Sequence, residues 1–374
     1  MRVILTGGGT GGHFYPLVAV ARALRDLAER RKILNLELIY ASNEPYDLKL
    51  LDEENIKFVK IPAGKMRRYF SIRNIFDPFV TFFGILRAAF AVYLNFPDVI
   101  FAKGGYASFP ALVAGRMLKI PIIIHETDAV PGRVTLWASK FAKRVAISFP
   151  QAAKYFPSDK TALTGNPIRK EIMDKAAPGA EELFNLEPDV PVILVLGGSQ
   201  GAQKMNDLIL DVLKELLEFS QVIHQTGENN FAGAKARADL VLENITDRKR
   251  YHILSFLGEK EMCAAYGAAA LIISRASGSI FEIAAAAVPA ILIPLPSAAQ
   301  DHQRENAYAY ARAGGAEVLE EENLLPHVFL DLVKKLLTNE EKRAKMIAAA
   351  KNFAKPDAAD KIADEIISLT VQHA

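Results

Sequence analysis

Two stretches nearly half a chain apart share one plan: "RVILTGGGTGGHFYPLVAVARAL" from Arg2 and "PVILVLGGSQGAQKMNDLILDVL" from Pro191. Each is a short β-branched run, a glycine-rich turn and then an amphipathic segment. That order predicts a buried strand, a tight turn and a helix. Two such openings in 374 residues predict two similar α/β domains rather than one long sheet. The rest of the chain follows the same alternation. "ELIYA", "VIFA", "PIIIHE" and "RVAIS" read as strands in the first half, and "QVIHQTG", "YHILSF", "ALIISR" and "AILIP" in the second. Helical segments lie between them, as βαβ units with parallel sheets require. Gly165 and Pro167 punctuate "TGNPIRKEI", so the expected domains are 1–164 and 165–345. A last helical segment, 346–374, is broken at Pro356 and is expected to close the second domain or to pack back on the first.

A strand, glycines and a helix suit one guest above others. Glycine lets backbone approach a ligand closely, and a helix start offers unpaired N–H groups with partial positive charge. The usual guest is a phosphate or diphosphate. Three such turns occur: "GGGTGGH" (7–13), "KGGYAS" (103–108) and "GGSQGAQ" (197–203). A dinucleotide fingerprint also needs an acidic residue about 20 positions on. The strand "LELIYAS" ends in Ser42 and Asn43 instead, which argues against an NAD site.

Charge and cysteine content narrow the classes further. A net charge of +2 gives no polyanion field, so nucleic acid is not expected as a partner. A single cysteine, Cys263, excludes an intramolecular disulfide framework and a multi-cysteine metal site. No signal-peptide pattern follows "MRVIL", and the longest apolar candidate, "FDPFVTFFGILRAAFAVYLNF", carries Asp77, Pro78 and Arg87. A cytoplasmic location is expected. Basic residues Lys65, Arg67, Arg68 and Arg73 stand beside Phe76, Phe79, Phe82 and Phe83. That mixture suits an anionic membrane surface, or a core helix with a solvated entry loop.

"GGTGGHFYP", "KGGYASFPALVAG", "IIIHETDAVPG", "TGNPIR", "LGGSQGAQ" and "DHQRENA" occur in this order. From Arg2 to about Ala316 the chain thereby resembles the bacterial lipid II-forming glycosyltransferases. These are the undecaprenyl-diphospho-muramoylpentapeptide β-N-acetylglucosaminyltransferases of peptidoglycan synthesis. The resemblance implies a GT-B fold, two Rossmann-like domains with parallel sheets facing a cleft. It implies inverting transfer of N-acetylglucosamine from UDP-N-acetylglucosamine to the muramoyl 4-hydroxyl of lipid I, with no metal or other cofactor. The enzyme would work as a peripheral protein at the cytoplasmic face of the membrane. Its partners would be lipid I and other cell-wall synthesis proteins, in the service of cell shape and division. The alternative within the same fold is another UDP-sugar enzyme, a lipid glycosyltransferase or a sugar-nucleotide epimerase.

Carried over by position, the resemblance places Thr10, Gly11, Gly12, Asp128, Arg169, Ser199, Leu257, Glu282 and Gln303 at the donor. Ser199 would meet the diphosphate, Leu257 the uracil, Glu282 the ribose and Gln303 the sugar hydroxyls. Gly104, Gly105, Tyr106 and Ser108 fall at the acceptor diphosphate, and Arg67, Arg68, Phe79, Phe82 and Phe83 at the membrane. Three positions depart from the family pattern. Asp128 replaces an asparagine, "SRASGSIFE" is one residue short, and "FLGEKEM" is long. A carboxylate only accepts hydrogen bonds, so Asp128 loses the donor role an amide would have.

Inverting transfer needs a base for the acceptor hydroxyl. His13, at the entry of the first helix, has an ordinary pKa near working pH. Glu126, at the C-terminal end of a strand, is the rival, and His125 beside it reads equally as structural. His13 could instead cap or orient its glycine loop.

Overall fold

The computed structural model describes residues 1–65, 73–173, 179–198, 201–296 and 298–373. Ser199, Arg67 and Arg68 lie outside them. The chain divides into two compact units, Met1–Ile168 with Lys355–Ala374, and Arg169–Ala354.

The first unit holds seven strands: β1 (Arg2–Thr6), β2 (Glu37–Ser42), β3 (Ile56–Lys60), β4 (Val99–Ala102), β5 (Ile122–Glu126), β6 (Arg144–Ile147) and β7 (Thr161–Leu163). They form one parallel sheet in the order β3-β2-β1-β4-β5-β6-β7. Strand side chains alternate between faces, and here both faces are apolar. Val3, Leu5, Leu38, Tyr40, Val99 and Phe101 enter one core, with the helix Gly11–Arg30. Ile4, Ile39, Ala41, Ile100 and Ala102 enter the other, with Ala88 and Val92 of the helix Arg73–Asn95. The same sequence run therefore feeds two cores, and helices must cover both faces.

The second unit repeats the scheme with β8 (Val192–Leu196), β9 (Gln221–Gln225), β10 (Tyr251–Leu254), β11 (Ala269–Ser274), β12 (Ala290–Leu292) and β13 (Ala316–Val318). Its parallel order is β10-β9-β8-β11-β12-β13. Both sheets reverse direction of winding next to their first strand, between β1 and β4 and between β8 and β11. Ligands of open α/β sheets bind at such switch points, beyond the carboxyl ends of the strands. The glycine turns after β1 and β4 flank the first switch point, and the turn after β8 flanks the second.

The last helix, Ala358–His373, belongs to the first unit. Ala359, Ile362, Ala363 and Ile366 pack into the core shared with Gly11–Arg30. Ion pairs of Arg31 with Asp364 and of Arg144 with Glu365 hold its outer face. The helix before it, Glu340–Phe353, stays with the second unit, and the chain crosses at Lys355, just before Pro356.

Candidate active site

At the first turn, backbone and side chains crowd the glycines. A Cβ on Gly8 would collide with the Ser42 hydroxyl and approach the Tyr40 hydroxyl, while Tyr40 donates to the Gly7 carbonyl at 2.8 Å. The helix Gly11–Arg30 starts at once, with His13 in its first turn. The His13 Nδ1 lies 3.2 Å from the Thr10 hydroxyl. Its ring reaches across to the second turn: a Cβ on Gly105 would stand 3.6 Å from His13 Cε1 and 3.7 Å from Nε2. Gly104 and Gly105 have φ of +81° and +76°, a left-handed pair that other residues enter at a cost. Tyr106 lies over Gly9, and its hydroxyl accepts from Asn43 at 3.3 Å. Ser108 donates to the Gly105 carbonyl at 2.9 Å. The structure thus brings Thr10, Gly11, Gly12, His13, Gly104, Gly105, Tyr106 and Ser108 into one corner of the first unit.

The β5 segment "HETD" lies beside this corner. Glu126 is only 5% exposed. Its two oxygens accept from the backbone N–H groups of Asp128 and Gly132, each at 3.0 Å. Burial and the neighbouring Asp128 push its carboxyl above the usual range, and the two N–H bonds pull against them. Both oxygens of Glu126 therefore pin the loop that follows β5. His125 donates from Nε2 to the Gly165 carbonyl at 2.9 Å, and its Nδ1 accepts from the Lys103 ammonium at 2.7 Å. Burial, then the Lys103 charge, holds its pKa well below the ordinary histidine value. It is a neutral, fixed ring.

Lys103 is the residue that reading the sequence missed. It continues the parity of Val99 and Phe101, so its side chain turns inward on the face of the first helix. It is 2% exposed and donates to His125, to the Thr127 hydroxyl and, at 2.7 Å, to the Asn166 side chain. A lysine ending the wholly apolar run "VIFA" was the available signal.

In the second unit, Arg169 and Glu282 meet. The guanidinium donates to one Glu282 oxygen through Nε at 3.0 Å and Nη2 at 2.8 Å. Tyr266 donates to the other oxygen at 3.3 Å. Glu282 stands in the first turn of the helix Ser279–Ala286 that follows β11. Gln303 accepts the Leu295 N–H through its carbonyl at 2.9 Å, which leaves the amide nitrogen as its donor end. Leu257 is 1% exposed. Beneath the third turn, Asn206 donates to the Thr226 carbonyl at 3.0 Å and bonds His224 Nε2 at 3.0 Å. Burial takes the His224 pKa down to about 3.

Two parallel-sheet units with phosphate-type turns at their switch points define a nucleotide-sugar enzyme fold of the GT-B kind. Among solved structures, the chain resembles the MurG of Acinetobacter baumannii with a TM-score of 0.71 at 28% identity, covering 98% of this chain and 99% of that one. It shares its fold with the UDP-GlcNAc 2-epimerase of Neisseria meningitidis bound to UDP-GlcNAc, at a TM-score of 0.69 and 16% identity over the full length of both chains. The chain belongs to glycosyltransferase family 28: residues 3–147 match its N-terminal domain and 192–362 its C-terminal domain. A Treponema denticola relative is 36% identical over 348 residues, 89% of this chain and 88% of its own length. One from Clostridium tetani is 33% identical over 367 residues, 98% of this chain and 97% of its own. Both are named UDP-N-acetylglucosamine–N-acetylmuramyl-(pentapeptide) pyrophosphoryl-undecaprenol N-acetylglucosamine transferase.

Proposed function

We propose that this chain transfers N-acetylglucosamine from UDP-N-acetylglucosamine to the 4-hydroxyl of the muramoyl sugar of lipid I, forming lipid II with inversion. The observation that carries the reading is the corner of the first unit, where His13 reaches from one glycine turn to the other. Near-full-length similarity to relatives named for this transfer supports it.

His13 is the base in this mechanism. The mechanism uses the tautomer with the proton on Nδ1, facing the Thr10 hydroxyl, and with Nε2 beside Gly105 as the acceptor. As the acceptor oxygen attacks the anomeric carbon, its proton passes to Nε2. The bond from that carbon to the diphosphate oxygen breaks, and the electron pair leaves with UDP. Glu126 plays a different part. With both oxygens on backbone N–H groups, it shapes the loop carrying Asp128. On the donor side, Arg169 orients Glu282, whose second oxygen keeps acceptor capacity for ribose hydroxyls. The amide nitrogen of Gln303 donates to a sugar hydroxyl. Donors at the third glycine turn, Ser199 among them, take up the charge of the leaving diphosphate, and no metal is invoked.

The acceptor's lipid chain requires a bilayer contact. In the helix Arg73–Asn95, Phe76, Phe79, Phe82, Phe83, Leu86, Phe90 and Tyr93 are all exposed. The residues 76–95 are long and apolar enough to cross a membrane by length and composition. Their other face is committed, because Ala88 and Val92 are buried in the core and the helix packs on Phe109–Met117. The helix therefore lies on an anionic membrane surface with its aromatic face, as a peripheral anchor at the cytoplasmic side.

Incubation with radiolabelled UDP-N-acetylglucosamine and a short-chain lipid I analogue tests the reading. A labelled disaccharide lipid is the expected product; free N-acetylglucosamine or its 2-epimer with no lipid product would overturn it. UDP-N-acetylglucosamine should also protect against thermal unfolding, and NAD should not.

A further inference from the structure

Lys103 poses a problem of charge. A buried ammonium is costly unless an opposite charge faces it. Its three hydrogen-bond partners, His125, Thr127 and Asn166, are all neutral. Among the described residues no carboxylate lies within ion-pair distance of it, although Glu126 and Asp128 act on it from farther away. The fold thus places an ionisable amine inside the first unit with no carboxylate, among the described residues, within ion-pair distance.

The position of that charge is specific. Lys103 immediately precedes Gly104 and Gly105, whose N–H groups have no hydrogen-bond partner among the described residues. Its own N–H donates to the Thr6 carbonyl at 2.8 Å, at the end of β1. Its Cβ stands 3.0 Å from where a Cβ on Gly7 would be. Lys103 therefore ties the end of β1 and the turn that carries the free Gly104 and Gly105 donors to the β5 loop and to Asn166, where its ammonium is held.

We infer that Lys103 is a positioning residue whose buried ammonium supplies the counter-charge for a diphosphate held at Gly104 and Gly105. This deepens the reading above and rests on it, since a lipid I acceptor carries a diphosphate and the family resemblance puts that diphosphate at this turn. Lys103 does not touch the ligand. It acts through the field and by tying the turn to the β5 loop and to Asn166.

The network is built to hold either protonation state. A charged Lys103 donates to all three partners. A neutral one donates to two and accepts from the Thr127 hydroxyl, which can turn. Burial lowers its pKa to about 7, with Glu126 and Asp128 opposing that shift. The other titratable groups of the cluster are His125, fixed as the neutral ring, and His13, whose charge acts on His125. An arriving diphosphate favours the ammonium, so binding above pH 7 is accompanied by proton uptake.

Calorimetry on the full chain with a short-chain prenyl diphosphate, in two buffers of different ionisation enthalpy, reads this directly. At pH 8 the wild type should take up more than about half a proton on binding. Lys103→Met should take up none and bind the prenyl diphosphate about tenfold or more weakly, with UDP affinity within twofold of wild type. Absence of uptake in the wild type overturns the inference, and so does a Lys103→Met variant that keeps both uptake and affinity. A loss shared equally by UDP also overturns it, because that would be general damage to the fold. The wild-type arm needs no variant to fold, and it needs no muramoyl sugar. A chain that binds prenyl diphosphate with proton uptake but makes no disaccharide lipid would keep this inference and sink the proposed reaction. The reverse result would do the opposite.

Discussion

Each unit buries a neutral histidine on the strand next to a glycine turn, and the two are held differently. His125 in β5 is gripped by an ammonium on one side and a backbone carbonyl on the other. His224 in β9 is gripped by Asn206 and the Tyr251 hydroxyl, both neutral. The mechanical result is similar, a rigid ring bracing the segment under the turn. The electrostatic result is not. The first unit carries a buried cation and a buried, up-shifted carboxyl near the corner where His13 meets Gly105. Below its own turn the second unit uses uncharged partners. Its internal charge lies in ion pairs such as Arg169–Glu282 and Arg275–Glu321, where each ion has its counter-ion.

The largest effect that can break this contrast is on catalysis. His13→Ala should lower kcat by about 10²–10⁴-fold with UDP-N-acetylglucosamine affinity retained. Glu126→Gln should lower kcat far less and show its damage in thermal stability, because it disturbs the pinned loop. Steady-state kinetics with a melting curve separates the two; a larger kcat loss in Glu126→Gln would exchange their roles.

The next effect is on stability against pH, read unit by unit through hydrogen exchange. Lys103 has a folded pKa of about 7 against an ordinary 10.5, so between those values the unfolded chain binds more protons. The first unit should therefore gain stability as pH rises from 7 toward 10.5, by at most about 1.4 kcal/mol per pH unit. Lys103→Met should remove that slope. His224 acts in another window: its folded pKa of about 3 lies below the ordinary 6.5, so the second unit loses stability as pH falls from 6.5 toward 3. His224→Asn should flatten that decline and leave the first unit's alkaline slope untouched. An alkaline slope that survives Lys103→Met would contradict the assignment.

A smaller effect belongs to the exposed helix. Replacing Phe79, Phe82 and Phe83 by serine should cut binding to anionic vesicles by about tenfold or more. Turnover of a detergent-soluble short-chain acceptor should change little. Vesicle co-sedimentation decides the point, and unchanged binding would remove the membrane face. The smallest effect is expected for Asp128→Asn, a change of a few-fold in kcat/KM. Its backbone N–H, not its side chain, is the part bonded to Glu126.

Much of the fold was legible because it rests on local signals. Short apolar runs such as "VILVL", bounded by proline and glycine, read as strands buried on both faces, and the glycine turns mark where those strands end. The site was legible where one motif supplies all its parts, as Thr10 and His13 do. Long-range pairing was not. Nothing near Arg169 announces Glu282, which stands 113 residues away. Lys103 reads in the sequence as a turn residue, and only strand parity in the folded sheet turns it inward to meet Asn166. "HETD" offers Glu126 as the rival base with His125 beside it; the backbone partners of each, set by the loop's three-dimensional path, are not legible in it.

The most direct measurement is a single-turnover assay with labelled UDP-N-acetylglucosamine and a short-chain lipid I analogue, run with wild type and His13→Ala at matched donor occupancy. The account predicts a labelled disaccharide lipid from the wild type and formation slowed at least about a hundredfold in the variant. No disaccharide lipid from the wild type, or equal rates from both proteins, would contradict it.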